Sequence, residues 1–376
     1  MSAKSLPFVD LKSQYARLKT EIDRGIQAVL DHGQYVMGPE VAQLETDLAK
    51  FAGARHCVTC ASGTDALIIP LMAERIGPGD AVFVPTFTFT ATAEVVLLLG
   101  ASPVFVDVDR RSFNMDLDDL RLRIEAVKRD GKLRPRAVMA VDLFGLPADY
   151  PALQKICDAD GMLLIADAAQ SFGGSLGNRK VGALAPVTGT SFFPAKPLGC
   201  YGDGGAIFTD SDEKRFLYDS IRQHGKGVDR YDIDRVGMNG RFDTIQAAVL
   251  LAKLTVFADE IDKRQRVAKR YSEKLSGAVT TPEIPIHAVS AWAQYSILTD
   301  KRSRLIDMLK QEGIPTAIYY PRPMHLQPAY RAYGGGEGSL KVSEDICHRI
   351  VSLPMHAYLD EATIDRIADA VLRAVG

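Results

Sequence analysis

Short β-branched runs alternate with helical segments through the first half of this sequence. The runs occupy residues 56–60, 81–84, 104–108, 137–141 and 162–166, and segments such as 65–75 and 117–129 between them have apolar residues at helical spacing. Because parallel strands need long crossover connections, this alternation predicts an α/β fold with a largely parallel sheet and helices on both faces. Ligands of such folds bind beyond the carboxyl ends of the strands, so the residues after each strand are the functional candidates.

The pattern changes after about residue 250. A long charged helix is predicted over 258–275, a strand over 292–298 and an amphipathic helix over 361–375. A chain of 376 residues, of which 47% are hydrophobic, is long enough for two cores. We therefore predict a large domain over residues 1–250 and a smaller C-terminal α/β domain over residues 251–376.

Charge and cysteine content narrow the class of protein. The formal net charge is −2, and lysines and arginines are mixed with acids, so we expect neither a nucleic-acid partner nor a membrane partner. Five cysteines, no secretory signal and no apolar run of about 18 residues favour a cytoplasmic location. Cys57 and Cys60 lie in a strand-like run without a second pair, so we expect no metal site.

Lys196 and Asp167 are the first pair of functional candidates. Lys196 stands among apolar residues and turn-forming glycines in the segment SFFPAKPLGCYGDGG, residues 191–205, and Asp167 follows the strand predicted over 162–166. A pyridoxal-phosphate enzyme needs this combination, because the amine forms a Schiff base and the acid keeps the pyridine nitrogen protonated. An ordinary surface lysine and a helix-capping aspartate are the alternative interpretations.

Two other strand ends carry compatible signals. The segment ASGTDAL, residues 61–67, joins a strand to a helix, and the backbone N–H groups and dipole of that helix start suit a phosphate, although a simple N-cap has the same residues. The segment PTFTFTAT, residues 85–92, places Phe89 where it can stack on a flat ring or fill the core. The order of anion-binding turn, aromatic, acid and lysine at successive strand ends predicts a pyridoxal 5′-phosphate site.

These residues resemble a known family, the DegT/DnrJ/EryC1/StrS sugar aminotransferases among the fold type I pyridoxal-phosphate enzymes. The resemblance covers nearly the whole chain, through FVDLKSQY (8–15), GPE (38–40), SGTDA (62–66), DAAQ (167–170), residues 191–205, NGRFDTIQAA (239–248) and SLPMH (352–356). It implies a mostly parallel seven-stranded sheet with a smaller C-terminal domain. It also implies transfer of an amino group from glutamate to a nucleotide-linked keto-sugar.

The resemblance assigns roles to individual residues. Lys196 would bind the cofactor covalently and move the substrate proton, and Asp167 would pair with the ring nitrogen. Gln170 would bond to the ring hydroxyl, and Phe89 would stack on the ring. The cofactor phosphate would be held by Gly63, Thr64 and Ser191, together with Asn239 of the neighbouring subunit. This arrangement implies a homodimer with shared active sites.

The substrate side is implied in the same way. Residues 192–205 resemble the branch that aminates C3 of a UDP-linked 3-keto-glucuronic acid derivative for bacterial surface polysaccharides, such as the O-antigen of lipopolysaccharide. Arg241 would bind the substrate carboxylate as a bidentate pair, or else form a surface ion pair. The segment AIYYPRPMHLQ, residues 317–327, would place Tyr319, Tyr320 and His325 near the substrate, although many members have histidine where this chain has Tyr319.

Other functions stay open at this point. Branches that aminate dTDP-linked 3-keto-6-deoxyhexoses or 4-keto sugars share most of these positions. Pyridoxal-dependent sugar dehydratases of the family replace the lysine with histidine, which Lys196 argues against, and a non-catalytic regulator would not need Lys196, Asp167 and Gln170 together. A dinucleotide-binding loop at residues 199–205 lacks the glycine fingerprint with its following helix and distal acid.

Overall fold

The computed structural model describes residues 6–229 and 231–376. Its helices are Leu11–His32 (α1), Pro39–Ala52 (α2), Gly63–Ala73 (α3), Ala91–Leu98 (α4), Leu117–Asp130 (α5), Tyr150–Ala159 (α6), Asp212–Arg222 (α7), Thr244–Leu275 (α8), Arg302–Gln311 (α9), Lys341–Arg349 (α10) and Glu361–Val375 (α11). Its strands are His56–Cys60 (β1), Asp80–Pro85 (β2), Ser102–Val106 (β3), Arg134–Val141 (β4), Leu163–Asp167 (β5), Ser175–Leu176 (β6), Arg179–Lys180 (β7), Val187–Ser191 (β8), Gly205–Thr209 (β9), Ala288–Val289 (β10), Tyr295–Leu298 (β11) and Ile350–Leu353 (β12).

The central sheet has seven strands in the order β1-β9-β8-β5-β4-β2-β3. Neighbours from β8 to β3 are parallel, and β9 is antiparallel to both of its neighbours. The predicted α/β fold with a mostly parallel seven-stranded sheet is therefore confirmed. The carboxyl ends of β1, β2, β5 and β8 meet at one edge, which brings the four candidate segments of the sequence together.

Helices cover both faces of this sheet. One buried cluster joins α3 and α4 to one face through Ile69, Val95, Val82 and Ile165. Another joins α5 and α6 to the opposite face through Leu120, Leu153, Phe83 and Leu164. Adjacent residues of one strand belong to different clusters, as expected for strands that are buried on both sides.

The C-terminal part forms a smaller α/β unit. Strands β11 and β12 pair antiparallel, and α9, α11 and the end of α8 pack around them in a separate buried cluster. The helix predicted over 361–375 is observed with those bounds. The strand predicted over 292–298 is shorter, because Trp292 has a φ of 50° and cannot continue an extended strand.

Several other element boundaries also differ from the prediction. Strand β3 lies two positions before the predicted 104–108. The helix predicted over 258–275 is the second part of α8, which begins at Thr244. Its first part is apolar and packs on the large core through Leu250 and Phe257, so it lacks the charged pattern of an exposed helix. Helix α8 continues through residue 250, and a domain boundary there stays a prediction.

Cys57 and Cys60 are buried in β1, and burial raises the pKa of both thiols far above its usual range. Residues 6–229 and 231–376 contain no group of three or more histidine, cysteine or acidic side chains arranged to hold a metal ion. None of the helices in these ranges is long and apolar enough to cross a membrane.

Candidate active site

A cavity of about 470 Å³ lies at the carboxyl edge of the central sheet. It brings together nine of the residues singled out from the sequence, which are Gly63, Thr64, Phe89, Asp167, Gln170, Ser191, Lys196, Tyr319 and Tyr320. They come from the ends of β1, β2, β5 and β8 and from the segment after α9. The cavity therefore joins both parts of the chain around one space.

Asp167 closes the inner end of this cavity. Asp167 as a residue is only 6% exposed, and its carboxylate accepts hydrogen bonds from Thr92 Oγ1 at 2.8 Å and from the backbone N–H of Ala169 at 3.2 Å. Burial raises the pKa of Asp167, and these two donors and the Lys196 ammonium oppose that shift. A buried carboxylate in this position is well suited to accept a hydrogen bond from a cationic ring nitrogen.

Lys196 lies on the turn between β8 and β9 and also lines the cavity. Burial lowers the pKa of its ammonium, and the negative charge of Asp167 partly restores it. A lower pKa raises the fraction of neutral amine, which is the form that attacks a carbonyl group. The Lys196 environment therefore favours a nucleophile.

Gln170 is fixed with its amide nitrogen toward the cavity. Its Oε1 accepts a 2.7 Å hydrogen bond from the backbone N–H of Phe144, and its Nε2 donates to the Tyr320 hydroxyl at 3.3 Å. Phe89 is 56% exposed at the cavity wall, with its ring centroid 6.4 Å from that of Tyr320. An amide donor and an accessible aromatic face are therefore both available to a flat heteroaromatic ring.

The start of α3 forms the phosphate end of the cavity. Ser62 caps the helix through a 3.0 Å hydrogen bond to the Asp65 N–H, which leaves the first N–H groups, of Gly63 and Thr64, without partners inside the helix. A Cβ at Gly63 would lie 2.6 Å from Ser191 Cβ, so only glycine allows this close approach to β8. The turn, the helix dipole and the Ser191 hydroxyl together form an anion site.

Three predicted site residues lie outside this cavity. His325 is 1% exposed, and its ring nitrogens bond to the Thr86 hydroxyl at 2.7 Å and to Glu344 at 3.1 Å. Asn239 and Arg241 do not line the cavity, but the carbonyl of Gly240 between them accepts a 3.1 Å hydrogen bond from the Ala61 N–H. Their separation from the anion-binding turn along the sequence is therefore not a separation in space.

Sequence reasoning missed some polar groups of the cavity. Thr92 bonds to Asp167, and its hydroxyl also bonds to the Thr88 hydroxyl at 3.1 Å. Both threonines lie in residues 85–92, the segment from which only Phe89 is predicted as a site residue. Gln294, before β11, lines the cavity with its Oε1 buried and without a hydrogen-bond partner in the described ranges. Nothing local in the sequence marks Gln294, because only the packing of the small unit on the sheet places it there.

These residues fit pyridoxal 5′-phosphate. An anion site, an accessible aromatic ring, an amide donor, a buried carboxylate and a half-buried amine surround one cavity, and each matches one feature of that cofactor. The dinucleotide alternative fails here, because residues 199–205 lead into β9 and not into a helix.

The sequence profile of the DegT/DnrJ/EryC1/StrS aminotransferase family matches residues 16–372. The chain belongs to this family. It is thus an aminotransferase that depends on pyridoxal 5′-phosphate. The resemblance drawn from the sequence is confirmed, and so are its fold class and cofactor.

Individual relatives are similar over their whole length. The chain is 47% identical to UDP-2-acetamido-2-deoxy-3-oxo-D-glucuronate aminotransferase of Pseudomonas aeruginosa, over 97% of this chain and 99% of the relative. It is 39% identical to UDP-N-acetyl-3-dehydro-alpha-D-glucosamine 3-aminotransferase of Acidithiobacillus ferrooxidans, over 99% and 98%. A solved family member from Brucella abortus superposes with a TM-score of 0.97 at 50% identity, over 99% of this chain and 100% of that one.

Proposed function

We propose that this aminotransferase moves an amino group from glutamate to C3 of a UDP-linked 3-oxo-glucuronic acid derivative. The proposal places the product in the synthesis of a bacterial surface polysaccharide such as an O-antigen. The observation that carries the reaction type is the cavity that unites Lys196, Asp167 and Gln170 with the anion-binding turn of α3. The two relatives at 47% and 39% identity, both named for UDP-sugars oxidised at C3, support the substrate class.

The residues divide the work in a consistent way. Bound pyridoxal phosphate would supply two things, a carbonyl carbon that takes up the amino group and an electron-poor ring. The α3 turn and Ser191 would hold the phosphate, Phe89 and Gln170 would hold the ring, and Asp167 would keep its nitrogen protonated. The Lys196 amine would bind the cofactor and would move a proton at the substrate carbon, and its lowered pKa favours the neutral amine that this role needs.

Arg241 is our candidate for recognition of the substrate carboxylate. Its Nε is buried and has no hydrogen-bond partner in the described part of the chain. An unpaired buried guanidinium nitrogen is costly, so an anionic partner from the substrate, or from a second subunit, would stabilise it. The two relatives offer a matched pair of substrate types, since one is named for a glucuronate and the other for a glucosamine.

The first prediction uses that pair. In the wild type we expect the 3-oxo-glucuronate substrate to be aminated with the higher kcat/KM. Arg241→Ala should lower kcat/KM for it by about ten- to a hundredfold, because a hydrogen bond to a charged group is lost. The same variant should have nearly the wild-type kcat/KM for the 3-oxo-glucosamine substrate, because that substrate has no carboxylate. Product formation is measured by mass spectrometry against a panel of nucleotide-linked keto-sugars.

Two results would contradict this assignment. If Arg241→Ala lowers kcat/KM equally for both substrates, the guanidinium does not recognise the carboxylate. If the wild type prefers dTDP-linked 3-keto-6-deoxyhexoses or 4-keto sugars, the substrate proposal is wrong and one of those branches applies. Lys155→Ala is the control for the loss of a positive charge, because it removes a distant, exposed lysine of α6.

We also propose that the enzyme is a cytoplasmic homodimer with shared active sites, in which Asn239 and Arg241 serve the partner. In support, neither residue lines the cavity of its own chain, although the Gly240 carbonyl between them is bonded to that chain's anion-binding turn. Asn239 is exposed and available to another subunit. All five cysteines are free and buried, which suits a reducing compartment.

The second prediction is that activity returns when two inactive proteins are mixed. A Lys196→Ala subunit and an Asn239→Ala, Arg241→Ala subunit should form heterodimers in which one of two sites has all its groups. Up to about half of the activity per heterodimer should then return, as symmetry of the dimer requires. Subunit exchange is verified with two different affinity tags. Confirmed exchange without any recovery would mean that both residues serve their own chain or only its surface.

A further inference from the structure

Lys253 is a buried lysine that the reaction described above does not use. It lies on α8, is 1% exposed, and its ammonium donates a 2.6 Å hydrogen bond to the carbonyl of Gly199. The ammonium also lies 4.3 Å from the centroid of the Tyr201 ring. Burial lowers its pKa to about 8, against a smaller opposite effect of Cys200 and Glu260. No carboxylate of residues 6–229 and 231–376 is within ion-pair distance of it.

The stability of the fold does not explain this lysine. Removing an ammonium from water is costly, and a well-packed apolar side chain of similar size often stabilises such a site as well or better. The neighbours of Lys253 along α8 show this, since Leu250 and Phe257 fill the same buried face with apolar groups. The hydrogen bond to Gly199 is therefore the feature that distinguishes Lys253.

Gly199 belongs to the turn that carries Lys196. The Cys200 N–H bonds to the Phe192 carbonyl at 2.8 Å, which closes the turn at its base, and the Lys196 N–H bonds to the Phe193 carbonyl at 2.9 Å. A Cβ at Gly199 would lie 2.5 Å from the carbonyl oxygen of Pro194. The Gly199 backbone thus packs directly on the backbone before Lys196, and a shift of one moves the other.

We infer that Lys253 is a positioning residue, which fixes the Gly199 carbonyl and so holds the Lys196 turn against helix α8. Helix α8 is a rigid anchor, because its first half is buried in the large core. The turn has little regular structure between β8 and β9, and besides Lys253 it is tied to α8 by a 2.8 Å hydrogen bond from the Tyr201 N–H to Gln246 Oε1. The functional consequence rests on the proposed role of Lys196, whereas the mechanical consequence does not.

The test replaces the ammonium with an apolar group of similar length in the full chain. In Lys253→Met we expect backbone amides in residues 192–205 to exchange with deuterium about ten- to a hundredfold faster than in the wild type, because a charge-assisted hydrogen bond is lost. Amides of β5 should be unaffected. After removal and return of pyridoxal phosphate, its covalent attachment at Lys196, trapped by borohydride and measured by mass spectrometry, should slow by about tenfold or more.

Two matched variants complete the experiment. Lys269→Met, which removes an exposed lysine of the same helix, should behave as the wild type in both measurements. Lys253→Gln keeps an N–H donor without the charge and should fall between wild type and Lys253→Met; it replaces the methionine variant if that fails to fold. Unchanged exchange at 192–205 would overturn the inference. If amide exchange is faster but the cofactor of the wild type is attached at another lysine, the positioning role of Lys253 is supported and the proposed role of Lys196 is refuted.

Discussion

Lys196→Ala is expected to abolish transamination while the protein stays folded. Among residues 6–229 and 231–376, no other lysine lines the cavity with Asp167 to bind the cofactor covalently or to move the substrate proton. Loss of a nucleophile that is also the general base should lower kcat by at least about 10⁴-fold. Steady-state turnover is measured together with cofactor attachment, for which borohydride reduction and mass spectrometry should give the adduct in the wild type only.

The control separates chemistry from folding. Within residues 6–229 and 231–376 the Lys196 side chain makes no hydrogen bond, and desolvation disfavours its charge, so the melting temperature should not fall when it is removed. Lys155→Ala, in an exposed position, should keep both activity and adduct. Turnover near that of the wild type in the purified Lys196→Ala protein would show that the assignment of the catalytic lysine is wrong.

Asp167→Asn is expected to bind the cofactor and yet react slowly. Asparagine keeps an oxygen that can accept the hydrogen bond from Thr92, so the site should stay assembled. It cannot carry the negative charge that keeps the ring nitrogen protonated, and a neutral ring withdraws electrons poorly. We expect kcat to fall well beyond tenfold, which corresponds to about 1.4 kcal/mol in the barrier.

Cofactor affinity is measured in parallel by absorbance titration, because a variant that merely failed to bind would mislead. Asp158→Asn, an exposed change of the same kind on α6, should leave kcat unchanged. If Asp167→Asn binds cofactor normally and loses less than about tenfold in kcat, a difference below 1.4 kcal/mol, Asp167 is not the partner of the ring nitrogen.

The apolar runs of the sequence by themselves determined five of the seven strands of the sheet and the inner part of the site, whereas β8 and β9 were not among them. Strands that are buried on both faces are continuous apolar runs, which are visible locally, and parallel strands must end at one edge. The pattern of strands therefore predicts that residues shortly after those runs, such as Ser62, Phe89 and Asp167, lie near one another. The helix of residues 361–375 was predicted for a similar reason, since one amphipathic face specifies it locally.

The tertiary structure alone decided the contacts between distant segments. His325 belongs to the same segment as Tyr319 and Tyr320, yet the protein buries it against Thr86 and Glu344, away from the cavity. Gln294 enters the cavity, and Lys253 reaches the Lys196 turn, only because the small unit and α8 pack on the large core. The periodicity of a sequence reports which face of an element is buried, but it carries no information about which distant group that face meets.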